Sequence, residues 1–110
     1  PANIEELAMR HPLVERAAAY PMPDERLGEK VCLAVVVREE QSVDPAEVLK
    51  HLAEAGLSKF DMPEYFLRLD QFPLTASGKI LKRSLVDMTT RGELNPTPVR
   101  YKSPTSAMES

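Results

Sequence analysis

The run VCLAVVV, Val31 to Val37, carries no charged residue and puts apolar side chains at every position. Strand side chains alternate between two faces, so a strand apolar at both odd and even positions must be covered on both sides. That places it at the centre of a sheet with helices above and below. The chain is long enough for one such core: 110 residues with 43% hydrophobic content suit a single compact domain.

The segments around this strand supply its cover. In PANIEELAMRHP, Ile4, Leu7 and Ala8 share one helical face, Glu5 and Glu6 suit a first turn, and Pro12 ends the helix. LVERAAAYPMP reads as a strand that stops in the proline-rich PMPDERLG, a turn or loop that includes Gly28. SVDPAEVLKHLAEAGL has Asp44 as N-cap, Pro45 at the first helical position, Glu47 at the third, a Val48/Leu49/Leu52/Ala55 stripe and Gly56 after the last turn. PEYFLRLDQFP is a third strand with Tyr65, Phe66, Leu67 and Leu69 as core and Tyr20 packed nearby, and KRSLVDMTTR is a last helix that Gly92 terminates. The order α, β, β, α, β, α predicts an α+β domain over residues 1–90, a small mixed β-sheet of about three strands covered by helices, with strand order left open. Residues 91–110 are rich in Pro, Ser and Thr without apolar periodicity and are expected as a flexible tail.

Charge and composition exclude several functions. A net charge of −3 and a pI near 5.4 argue against a nucleic-acid module. No apolar run reaches the length of a membrane span, and the N-terminus lacks the series of a signal peptide. The single Cys32 lies within the apolar strand and is expected as a buried free thiol, which fits a reducing, cytoplasmic compartment. His11 and His51 have no companion at ligand spacing, so no metal site is expected. Because the chain starts at Pro1 and opens almost directly on a helical pattern, it is expected to be a piece of a longer protein.

PLTASGKILKR, Pro73 to Arg83, poses a separate question, because Lys79 sits between a turn-rich segment and a helix start. The positive end of a helix dipole disfavours a cation by roughly 0.3–1 kcal/mol. A phosphate-binding P-loop would need glycine where Pro73 stands and Ser or Thr where Ile80 stands, so that reading fails. Two readings remain: a solvated surface lysine, or a long cation presented by a loop of small and hydroxyl residues to a site on another domain.

The ordered set Pro21 with Pro23 to Lys30 (P-x-P-D-E-x-x-G-E-K), an apolar strand, a helix, Leu57 to Glu64 (LSKFDMPE) and Phe72 to Ile80 (FPLTASGKI) resembles the C-terminal domain of the adenylate-forming, AMP-binding superfamily. The resemblance covers Pro1 to Met88 and is most like a fatty- or aryl-acid CoA ligase, an acyl-CoA synthetase. It implies a large N-terminal adenylation domain in the same chain that binds ATP, magnesium and a carboxylic acid, and a small domain that supplies Lys79 when the acid attacks the α-phosphate. It also implies that the small domain then rotates and helps a thiol, from coenzyme A or from a carrier protein's phosphopantetheine, to capture the acyl-adenylate. The resemblance implies an aromatic, alicyclic or short-to-medium acyl acid as substrate.

By the same resemblance Gly78 belongs to the lysine loop, Gly28 and Glu29 match a G-E pair that faces the partner domain, and Lys59, Lys82 and Arg83 are candidates for contacts to coenzyme A phosphates or the large domain. The plainer readings are a turn glycine and solvated cations. Asp61 departs from the pattern, standing where a basic residue is common. The lysine matched by Lys79 is also a target of reversible acetylation in this family, which implies an acetyltransferase and deacetylase as partners. No cofactor is expected tightly bound to this piece, and by itself it is expected to be inactive, since a lone lysine orients no reactants. A non-catalytic interaction domain is the remaining alternative.

Overall fold

The sheet is built around Lys30–Val37 (β2), whose residues from Cys32 onward are all buried. The computed structural model describes residues 2–22 and 30–102; Gly28 and Glu29 lie outside the described residues. Leu33, Val35 and Val37 enter one core, and Cys32, Ala34 and Val36 enter the other. The both-faces reading of this strand is therefore met by two separate hydrophobic clusters. Val14–Met22 (β1) pairs antiparallel with β2 on one side, and Tyr65–Leu69 (β3) pairs parallel with it on the other.

The first core lies under two helices. Ala2–Met9 (α1) buries Ile4, Leu7 and Ala8, and Pro45–Glu54 (α2) buries Val48, Leu49 and Leu52. As the sequence implies, Asp44 caps α2, its Oδ1 accepting the Ala46 N–H at 3.0 Å, with Pro45 at the first position. The helix closes at Gly56, where the Leu57 N–H returns to the Leu52 carbonyl at 2.9 Å. Since β2 and β3 run parallel, α2 is the crossover that carries the chain back. The second core lies under Lys82–Thr90 (α3), which buries Leu85 against Ala18, Tyr20, Cys32 and Phe72. Buried Tyr20 donates its hydroxyl to Thr89 Oγ1 at 2.9 Å, because Thr89 in turn donates to the Leu85 carbonyl.

The sheet has four strands, in the order β1-β2-β3-β4, rather than about three. The fourth is Thr97–Pro98 (β4), which pairs antiparallel with Tyr65 and Phe66 of β3. Both its residues are exposed, so no apolar alternation marks it; backbone hydrogen bonds hold it, with proline tolerated because the strand is an edge. Val99 and Tyr101 just beyond it pack partly against the first core.

The opposite edge, β1, is guarded by Glu5 of α1. One carboxylate oxygen accepts the Ala19 N–H at 2.7 Å and also pairs with Lys82 of α3. This carboxylate therefore occupies an edge donor that would otherwise be open to another strand, and links helices on opposite faces of the sheet. Cys32 is a buried free thiol, and burial pushes it up to about 11, which suits packing and not nucleophilic chemistry. Among the described residues, no helix is long and apolar enough to cross a membrane.

Candidate functional site: the Lys79 hairpin

Lys79 does not lie at a helix start. Leu74 and Ile80 pair antiparallel, the Thr75 N–H donates to the Lys79 carbonyl at 2.8 Å, and the Gly78 N–H donates to the Thr75 carbonyl at 2.9 Å. These bonds define a tight hairpin whose loop is Ala76, Ser77 and Gly78, with glycine in the left-handed position such loops require, φ 87°. A loop of small residues, open by composition, is thus closed by its own hydrogen bonds. The helix-dipole cost falls instead on Lys82 and Arg83, which occupy the first turn of α3; Leu81 provides no side-chain cap, and Lys82 is compensated by Glu5.

Thr75 Oγ1 accepts the Lys79 N–H at 3.1 Å and lies 3.0 Å from Ser77 Oγ. Arg16 Nη2 on β1 donates to the Gly78 carbonyl at 3.3 Å. Lys79 itself is exposed, and among the described residues its ammonium has no hydrogen-bond or carboxylate partner. An exposed cation with no partner among the described residues, on a hairpin closed by hydrogen bonds, is open to charge that arrives from outside the domain. Neither Arg16 nor Thr75 stood out in the sequence; the only available signal was the T-x-x-G-K spacing of a three-residue hairpin.

Gly78 tests how firmly the hairpin is specified. A Cβ built there meets nothing within 4 Å, so a substitution suffers only from the backbone conformation. Gly78→Ala is expected to cost about 1–2 kcal/mol, read as a lower urea midpoint at unchanged slope, and Gly78→Asn is expected to cost less.

Of the remaining sequence candidates, Lys82 and Arg83 follow the hairpin closely at the start of α3, whereas Lys59 lies elsewhere. Lys59 sits on a short 3-10 turn, Lys59–Asp61, ahead of β3, its ammonium 5.4 Å from the ring centre of Phe60, which is 85% exposed. It lines a cleft of about 310 Å³ with Glu64, Arg100 and Tyr101. That turn is at the end of the sheet where β2 and β3 begin, whereas the hairpin follows the end of β3 and is tied to Arg16, whose register partner Val36 is near the end of β2. Arg83 is exposed on α3.

His11 and His51 pack edge to face, 5.1 Å between ring centres, where α1 meets α2. His51 Nε2 donates to the Leu7 carbonyl at 2.9 Å, and His11 Nδ1 accepts the Leu13 N–H at 3.1 Å. Burial and then the neighbouring His51 lower the His11 pKa from its ordinary 6.5, with Glu47 opposing. The fold thus favours neutral His11, so its contribution is fully present above pH 6.5 and is lost as pH falls below that value through the folded pKa. The urea midpoint is expected to drop more steeply on acidification below pH 6.5 in the unmodified protein than in His11→Asn. Among the described residues, no cluster of three or more His, Cys, Asp or Glu side chains is placed to hold a metal.

Fold and hairpin define a class: a small three-layer domain, helices on both faces of a mixed sheet, presenting an unpaired cation beyond its own core. The same fold is found in a Mycobacterium tuberculosis fatty acyl CoA synthetase, with a TM-score of 0.74 and 26% identity over 84% of this chain and 18% of that one. In sequence, the chain is 38% identical over 83 residues to the vibriobactin-specific 2,3-dihydroxybenzoate-AMP ligase of Vibrio cholerae, covering 76% of this chain and 15% of that enzyme. It is 34% identical over 85 residues to the mitochondrial medium-chain acyl-CoA ligase of Mus musculus, covering 77% of this chain and 14% of the enzyme. The AMP-binding enzyme C-terminal domain family matches residues 3–79, and the chain belongs to that family. It therefore spans about one seventh of the length of the curated relatives it matches.

Proposed function

We propose that this chain is the small domain of an ATP-dependent acid–thiol ligase and that Lys79 is its adenylation lysine. The observation that carries the reading is the exposed ammonium of Lys79, without a partner among the described residues, on a hairpin closed by its own hydrogen bonds. In the first half-reaction a carboxylate oxygen bonds to the α-phosphorus of ATP and pyrophosphate leaves. Negative charge concentrates on the oxygens between acid and phosphate, and an ammonium held there before reaction stabilises that charge without reorganising. The acid, the nucleotide and the large domain lie beyond these 110 residues in this reading, so the small domain alone would orient no reactants and be inactive. Magnesium, which the family implies, finds no ligand cluster among the described residues, and no step here passes through it.

Thiol capture would use another part of the surface. Lys59 and Lys79 lie at opposite ends of the sheet, which suits a domain that turns between two steps and offers a different end in each. Lys59 and Arg83 are exposed for contacts to coenzyme A phosphates or the large domain, while Lys82 is engaged by Glu5. Gly28 would take part in the domain interface of the second step. The lone buried Cys32 suits a reducing, cytoplasmic setting. A second reading changes only the acceptor to a carrier protein's phosphopantetheine; it is favoured by the comparable identity to an aryl-acid AMP ligase and to an acyl-CoA ligase.

The test is pyrophosphate exchange by the full-length parent against a panel of fatty and aromatic acids, followed by thioester formation with coenzyme A or with a phosphopantetheinylated carrier protein. Exchange with one class of acid and transfer to coenzyme A supports the first reading, and transfer only to the carrier protein supports the second. No exchange with any acid would leave the domain as a non-catalytic interaction module.

A further inference from the structure

The contact between Arg16 and the lysine hairpin spans 62 positions in sequence, and a specific irregularity of β1 makes it possible. In a regular strand Val14, Arg16, Ala18 and Tyr20 would share one face. Instead the register slips between Val14 and Arg16, so that Val14 opposes Val37 while Arg16 opposes Val36 and Glu15 is left over. This is a β-bulge on an edge strand, a device that re-aims side chains. Its effect is visible in the cores: Val14, Ala17 and Ala19 enter the cluster beneath α1 and α2, whereas Ala18 and Tyr20 enter the cluster beneath α3. Arg16, in step with Ala18 and Tyr20, is thereby sent to the face that carries α3 and the hairpin.

What Arg16 reaches there is the peptide unit that precedes Lys79. The oxygen of that unit, Gly78 O, accepts from Arg16 Nη2, and its N–H, on Lys79, donates to Thr75 Oγ1. Both ends of one peptide plane are thus held by side chains, at a junction where glycine would otherwise let the plane rotate. Rotation of this plane would redirect the Cα–Cβ bond of Lys79. We propose that Arg16, with Thr75, is a positioning residue for the adenylation step: it clamps the Gly78–Lys79 peptide so that the lysine side chain leaves the hairpin in one direction. The proposal rests on the reading of Lys79 given above and adds to it a residue that acts through the backbone.

The experiment compares Arg16→Ala, Arg16→Lys, Lys79→Ala and the Arg16→Ala/Lys79→Ala double variant in the full-length parent, each assayed for pyrophosphate exchange and for thioester formation from supplied acyl-adenylate. Arg16→Ala is expected to lower kcat for exchange by about 10- to 100-fold, with KM for acid and ATP nearly unchanged. Thioester formation should persist, which also shows that the variant is folded. Arg16→Lys, which keeps a donor of similar reach, should recover part of the loss, and Arg16→Ala should add nothing to Lys79→Ala. If Lys79→Ala lowers exchange and Arg16→Ala does not, the positioning role is overturned while the lysine reading stands. Full additivity would also overturn it, because Arg16 would then act independently of Lys79. If Lys79→Ala is itself without effect, the lysine reading and the clamp fall together.

Discussion

Lys79→Ala in the full-length parent is expected to lower pyrophosphate exchange by about 10²–10³-fold, which corresponds to roughly 3–4 kcal/mol of transition-state stabilisation. The size follows from where the charge sits. The ammonium is held on a hairpin closed by bonds from Thr75 and Gly78, so little ordering remains to be done when it meets the reacting centre. Under the proposed reading, thioester formation from supplied acyl-adenylate should continue near the unmodified rate, because a turned domain would have carried the group away from that step. Lys79→Arg keeps the charge but replaces a compact ammonium with a planar fork, and only partial activity is expected. Acetylation of Lys79 would remove the same charge, so an acetylated parent should lose exchange and keep thioester formation. Equal loss in both half-reactions would argue that Lys79 supports the fold or the domain interface. No loss in either would make it an ordinary surface lysine.

The largest expected effect on stability is at Leu85. It is fully buried and is the buried residue of α3, seated between Ala18, Tyr20, Cys32 and Phe72. Leu85→Ala removes the side chain through which this helix is held to the sheet and leaves a cavity among neighbours fixed on a central strand. A cost of about 2–5 kcal/mol is expected, read as a lower urea midpoint with an unchanged slope. Val86→Ala, at a half-buried position on the same helix, should cost distinctly less. The comparison matters for the site because α3 begins immediately after the hairpin and carries Lys82, the partner of Glu5. Loss of adenylation in Leu85→Ala without loss of secondary structure would show that the seating of α3 also orients the hairpin.

The elements that sequence reasoning found are those whose signals are local. The unbroken apolar run Val31 to Val37, the Asp44–Pro45–Glu47 cap and the Val48/Leu49/Leu52/Ala55 stripe each mark their own element, which forms where the pattern places it, except that Ala55 falls just past the helix and is only partly buried. Lys79 stood out for the same reason, since a cation within a turn sequence is visible without any fold. β4 carried no such signal: Thr97 and Pro98 are exposed and are held only by pairing with Tyr65 and Phe66. The bulge at Glu15 was hidden too, because the slip exists only relative to β2.

The amino-acid sequence by itself thus determined the central strand, the capped helix, the α+β class, the family and the lysine on its loop, since each depends on residues close together along the chain or on an ordered set of short motifs. The tertiary structure alone decided the strand order, the fourth strand, the carboxylate of Glu5 joining β1 to Lys82, and the face from which Arg16 reaches Gly78. Those features depend on register and on contacts between residues far apart in sequence, and a strand's register is set by the partner against which it closes.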